Sequence, residues 1–141
     1  MNVDSKFEQL LINWKNALET CNPTYMVETM YSDSAVLLPT VSPIIRTTSE
    51  DIEDYFEHFM SKSPKVIKFE NIKTQYNSNI KTVILSGNYD FKMSDDSIVK
   101  ARYTFVFKEH IKDEWLIINH HSSALPEMHL TNSLCTINFS Y

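Results

Sequence analysis

The sequence predicts an α+β fold: a cone-shaped, curved antiparallel sheet packed against about three helices. Two observations carry that expectation. The N-terminal half holds stretches whose apolar residues repeat at helical spacing, first at 7–21 and again at 52–60. From Lys65 onward the pattern changes to alternation, in four long β-rich runs joined by short polar turns, which implies an antiparallel meander.

The first helix is expected over residues 4–21. Phe7, Leu10, Leu11, Trp14, Ala17, Leu18 and Cys21 form one apolar stripe, and Ser5 and Glu8 stand at capping-box spacing. Asn22-Pro23 ends it and starts a second, short helix, with Asn22 as cap and Pro23 in the first turn, where its missing N–H costs nothing. That helix stops near Tyr31, before a turn at Ser32-Asp33-Ser34. Residues 35–38 read as a short strand, residues 39–43 (PTVSP) as a turn, and Ile44-Ile45-Arg46 as a returning partner strand. Thr47, Thr48 and Ser49 cap a third helix whose early acids, Glu50, Asp51, Glu53 and Asp54, suit its positive end. Ile52, Tyr55, Phe56, Phe59 and Met60 give it one apolar face, closed by Ser63-Pro64. Strands follow at 66–76, 80–93, 101–108 and 115–123, with turns at 77–79 and 94–97. One domain is expected over residues 1–127. The tail, 128–141, is weakly patterned: an added edge strand or a disordered segment.

Composition narrows the function classes. A chain of 141 residues with 43% hydrophobic and 22% charged residues matches a soluble globular protein. A net charge of −5 argues against nucleic acid and against an anionic membrane surface. No run approaches the roughly 20 apolar residues that span a bilayer, and MNVDSKFEQ does not read as a signal peptide. A cytoplasmic location follows as the default. The single glycine, Gly87, leaves no room for a glycine-rich phosphate loop or a dinucleotide fingerprint. Cys21 and Cys135 lack metal spacing and are expected to be reduced. No cofactor and no metal site is expected.

Several stretches together carry a family resemblance: LLPTVS at 37–42 with Arg46, DYFEHF at 54–59, ARYTFVF at 101–107 and WLIINHHSSALPE at 115–127. The chain resembles bacterial relatives of the calcium/calmodulin-dependent protein kinase II association domain. That domain belongs to the nuclear transport factor 2-like superfamily, with its cystatin-like α+β roll and its SnoaL-like cyclases and isomerases. The resemblance spans roughly residues 7–127. It implies a hub that assembles copies of itself through its sheet, as a dimer or larger ring, without kinase activity of its own. It also implies a pocket for small carboxylates, lined by arginines and a histidine. Where the kinase hub has His-Arg-Ser-Gly, this chain has His121-Ser122-Ser123-Ala124. The histidine matches, whereas the arginine position is a serine; Arg46 and Arg102 are then the candidates to replace that charge.

Helices over one face of a curved sheet leave a cavity suited to a small ligand. Its candidate lining is Arg46, Tyr55, Arg102, Tyr103, His120, His121 and Ser122. Adjacent strand residues face opposite ways, so His120 and His121 do not share one pocket. Simple alternation groups Trp115, Ile117 and Asn119 with His121, and Leu116, Ile118 and Ser122 with His120. A strand bulge would exchange the two sets. Each histidine reads either as a pocket acid/base or as a buried, satisfied side chain. Arg102 and Arg46 read either as anion ligands or as ordinary ion-pair partners. Tyr31, Tyr55, Tyr89 and Tyr103 offer hydroxyls or serve as core, with Tyr55 and Tyr103 foremost. His58, His110 and Asp54 read as exposed.

Three functions are open. The first is a homo-oligomeric association-type domain binding a small polar or anionic molecule. The second is a SnoaL-like isomerase, cyclase or dehydratase acting on a small hydrophobic substrate. It would use His120 or His121 as base, with Tyr55 or Tyr103 polarising a carbonyl. The third is a pure assembly module whose cavity is filled by side chains.

Overall fold

The computed structural model describes residues 3–127, so the predicted behaviour of 128–141, Cys135 included, lies outside the described residues. Its elements are α1 (Val3–Glu19), α2 (Pro23–Met30), β1 (Tyr31–Leu38), α3 (Ser49–Met60), β2 (Lys65–Asn77), β3 (Thr82–Lys92), β4 (Ile98–Ile111) and β5 (Glu114–Ala124). They build one five-stranded sheet in the order β1-β5-β4-β3-β2, an α+β arrangement with three helices. No helix among the described residues is long and apolar enough to cross a membrane.

The helix signals act largely as read. Phe7, Leu11, Trp14, Ala17 and Leu18 of α1 are buried. Asn22 caps α2 by accepting from the Tyr25 N–H at 3.0 Å, and Thr48 caps α3 by accepting from the Asp51 N–H at 3.1 Å. Ser5 is a correction: α1 already runs from Val3, so Ser5 lies within the helix and not at its cap.

The meander β2-β3-β4-β5 is antiparallel throughout, as predicted. The first strand departs from the prediction in three ways. It starts at Tyr31, so residues 32–34 are strand rather than turn. It pairs parallel to β5, with Leu37 opposite His120. This long-range pairing overrides the turn propensity of Ser32-Asp33-Ser34. Finally, the expected partner strand at 44–46 shrinks to a single bridge between Leu37 and Arg46. Pro39 and Pro43 flank that bridge and have no N–H to donate, so the ladder does not extend. In the β2–β3 hairpin, Asn77 Oδ1 accepts from the Asn79 and Ile80 N–H groups, which keeps Ile80 in the turn and delays β3 to Thr82.

Sheet curvature comes from bulges. β2 slips against β3 between Val66 and Lys68 and again between Asn71 and Lys73. On β5, Asn119 opposes Val106 while Ile117 opposes Phe107, so Ile118 is the extra residue. That insertion reverses the alternation. Trp115 and Ile117 before it, and His120 and Ser122 after it, all face the core, while His121 is exposed. The core centres on Trp14, whose indole meets the rings of Phe56, Phe69, Tyr89, Phe91, Phe105 and His120.

Candidate functional site

The inner face of the sheet buries one polar cluster within this aromatic core. Trp14 Nε1 donates to Tyr31 Oη at 3.1 Å, and Tyr31 Oη bonds His120 Nδ1 at 2.8 Å. His120 Nε2 bonds Tyr89 Oη at 3.1 Å, and Tyr89 donates to Ser122 Oγ at 2.5 Å. Ser122 Oγ in turn bonds Thr40 Oγ1. Five elements or loops thus converge: α1 brings Trp14, β1 Tyr31, β3 Tyr89, β5 His120 and Ser122, and the loop after β1 brings Thr40. Phe105 stacks on the imidazole with centroids 3.9 Å apart.

Burial governs the electrostatics. His120 is 2% exposed, and its pKa falls to about 3, mainly through desolvation and secondarily through His121. It is neutral at physiological pH. Burial likewise pushes the Tyr31 and Tyr89 hydroxyls well above the ordinary phenol range. The free space bounded by Trp14, Thr40, Tyr55, Tyr89, His120 and Ser122 is only about 10 Å³. That is at the lower limit for a single water.

Tyr55 and Phe59 border this space and also a more open cavity of about 370 Å³, which Val41, Ser42, Arg46 and His58 line as well. Arg46 Nη1 donates to Asp54 Oδ2 at 2.9 Å and to the Asp51 carbonyl at 3.2 Å. Its Nε is buried and has no hydrogen-bond partner. Burial raises the Tyr55 pKa to about 12, with the nearby Arg46 charge opposing the rise.

The predicted lining therefore divides. Tyr55, His120 and Ser122 border the inner space, and Arg46 lines the neighbouring open cavity, which shares Tyr55 and Phe59 with it. Arg102 and His121 do not join them. Both are exposed on the outer face, where with Ser86, Asn88, Thr104 and Ser123 they line a separate cavity of about 380 Å³. Although larger, that outer cavity contains none of the buried polar groups around His120. Tyr103 packs inward, but its hydroxyl donates to Asn71 Oδ1 at 3.1 Å, and Tyr89 occupies the place beside His120. Tyr31 and Tyr89 are among the four tyrosines whose hydroxyls the sequence offers, behind Tyr55 and Tyr103, whereas Trp14 and Thr40 are not marked as polar partners. Trp14 sat in a helix stripe and Thr40 in a turn, and nothing local marks which tyrosine meets a histidine on another strand. Among the described residues, no group of three His, Cys, Asp or Glu side chains could hold a metal ion.

The family model of the calcium/calmodulin dependent protein kinase II association domain matches residues 5–126. This chain belongs to that family. A solved structure from Xanthomonas campestris, provisionally assigned as the same association domain, is 37% identical with a TM-score of 0.82. The match covers 90% of this chain and 91% of that one. A nuclear transport factor 2-like protein from Shewanella oneidensis is 17% identical with a TM-score of 0.69, covering 85% of this chain and 98% of that one. The yeast Ubp3-associated protein Bre5 is 20% identical with a TM-score of 0.75, covering 90% and 99%. At these lower identities the likeness concerns the fold alone. A comparison with curated proteins finds no match. Ser122, which the resemblance sets where the kinase hub has an arginine, points inward to Tyr89 and Thr40. The matched histidine, His121, points away from that space.

Proposed function

We propose that this chain is a homo-oligomeric association-type domain, without kinase activity, that receives a small polar or anionic molecule at the mouth of its cone. The observation carrying this reading is the polar chain from His120 through Tyr89 and Ser122 to Thr40, buried in an aromatic core around a space that shares Tyr55 and Phe59 with the open cavity of Arg46. Buried polar groups cost folding free energy unless fully paired, so a network beside an open cavity suits a binding role better than a purely structural one. The unpartnered Arg46 Nε supplies a donor for an anionic group.

Assembly is favoured by the outer sheet face, where Ile84, Val106 and Ile118 lie half-buried beside the exposed Ile72. The pure assembly module remains the competing reading, and one observation favours it: the inner space is nearly filled. The enzyme reading is weaker. Both nitrogens of His120 are engaged and its pKa lies near 3, which makes it a poor base at neutral pH.

Native mass spectrometry tests the proposal. An oligomer carrying additional small-molecule mass supports it. A bare oligomer favours the filled module, and a monomer at micromolar concentration overturns assembly.

A further inference from the structure

The charge of this chain is sorted by face. On β2 from Lys65 to Lys73, and on the stretches of β3 and β4 paired across from it, 86–92 and 98–104, six cations accompany two carboxylates, although the whole chain carries −5. The cations are Lys65, Lys68, Lys73, Lys92, Lys100 and Arg102; the carboxylates are Glu70 and Asp90. Each cation is exposed beside an inward-facing neighbour, so the excess lies on the outer sheet face. Asp90 is the partner of both Lys68 and Lys100, whereas Lys65 stands directly opposite Lys92, a like-charge pairing that weakens a sheet. Of the six, only Lys92 has an ion pair among the described residues, with Asp96.

The helical side, packed on the inner face through Phe56 and Phe59, reverses the sign. α3 carries Glu50, Asp51, Glu53, Asp54 and Glu57 and no lysine or arginine. The positive end of the helix accounts for Glu50 and Asp51, and Arg46 and His58 engage Asp54. Glu57 is left over. It is exposed in the last turn, where the helix end is itself negative, and it follows Glu53 by four residues, a spacing at which like charges destabilise. It forms no ion pair among the described residues. Both patches thus hold like charges together at a cost that a partner of opposite sign relieves.

We propose that the acidic α3 side of one copy docks on the basic outer sheet face of the next, head to tail. Glu50, Glu53 and Glu57 recur at i, i+3 and i+7, a stripe of about 10 Å at 1.5 Å per residue. Lys68 and Lys100, two strands apart, are separated by about 10 Å as well. A face-to-face pair of sheets centred on this patch would instead oppose cation to cation. Because the two patches lie on opposite sides of one copy, the contact is heterologous and repeats, closing into a ring or continuing as a filament. Nucleic acid fits the face less well: its exposed apolar residues, Ile67, Ile72 and Ile98, are aliphatic and offer no ring to stack on a base. The inference rests on the assembly reading above and specifies which surfaces meet.

The test uses two charge-reversed variants of the full chain, followed by sedimentation velocity at micromolar concentration and low salt. Lys100→Glu with Arg102→Glu alters only the sheet face, and Glu53→Lys with Glu57→Lys only the helical face; circular dichroism checks the fold of each. Alone, each variant should show an apparent dissociation constant raised at least about tenfold, because its own two faces no longer match. Mixed one to one, the variants should recover assembly, since the altered face of each complements the altered face of the other. A mixture that stays dissociated overturns the pairing of these surfaces. A helical variant that assembles like the wild type shows a sheet-to-sheet contact and also overturns it, while the assembly reading stands. A wild-type monomer overturns both, and binding of a single-stranded oligonucleotide to that monomer, lost in the sheet variant, would reassign the face to a polyanion.

Discussion

The phenol of Tyr103 lies across Gly87, its direct partner on the neighbouring strand. A Cβ on residue 87 would fall 2.6 Å from Tyr103 Oη and 2.1 Å from the Glu70 carbonyl oxygen. Gly87 has no positive φ, so the position needs space and not conformational freedom. It sits beside the bulge between Asn71 and Lys73, where β2 folds in over the sheet. The chain's only glycine thus stands where the Glu70 carbonyl and the Tyr103 ring leave no room for a Cβ. Gly87→Ala should destabilise by at least about 1–3 kcal/mol, measured by urea unfolding. Adding Tyr103→Phe should not restore stability, because Glu70 is the nearer obstacle.

Tyr31 links two buried groups with no alternative partner, Trp14 Nε1 and His120 Nδ1. Tyr31→Phe should cost about 1–3 kcal/mol for each group left unpaired. Tyr89→Phe cuts the same network, so the double variant should lose less than the sum of the single losses. Strict additivity in unfolding midpoints would show that the links are independent.

His120 gives stability a pH dependence of known sign. Its folded pKa of about 3 lies below the ordinary value of 6.5, so the unfolded chain binds a proton that the folded chain does not. Its bonded neighbours, Tyr31 and Tyr89, stay neutral throughout this range. The contribution is complete above pH 6.5 and is lost as pH falls toward 3, at up to about 1.4 kcal/mol per pH unit. Unfolding at pH 7 and pH 5 should differ accordingly for the wild type and much less for a folded His120→Gln variant.

Assembly through the outer face is checked by Val106→Glu and Ile118→Glu. Both side chains point away from the core and are half-buried, so secondary structure by circular dichroism should persist. Native mass should fall toward the monomer, since a buried unpaired charge opposes association. An unchanged oligomer would place the contact elsewhere.

Much of this architecture is local and therefore legible in the sequence. The stripe from Phe7 to Leu18, the Asn22 and Thr48 caps and the alternation of Tyr103, Phe105 and Phe107 are short-range patterns, and each appears in the structure as read. Ile44-Ile45-Arg46 misled because apolar composition does not reveal that flanking prolines leave one bridge where a ladder was expected. Among the tyrosines, composition does not separate Tyr89, beside His120, from Tyr103, beside Asn71.

The sequence by itself determined the α+β class, the family and the meander, because periodicity, caps and turns act over a few residues. Only the tertiary structure decided which histidine faces inward. That rests on one inserted residue, Ile118, whose slip against Val106 and Phe107 exchanges the two faces of β5. It also decided the site's membership. The hydrogen bonds from Trp14 to Thr40 join residues as far apart as 89 positions, the separation of Tyr31 from His120, and no local pattern records those contacts.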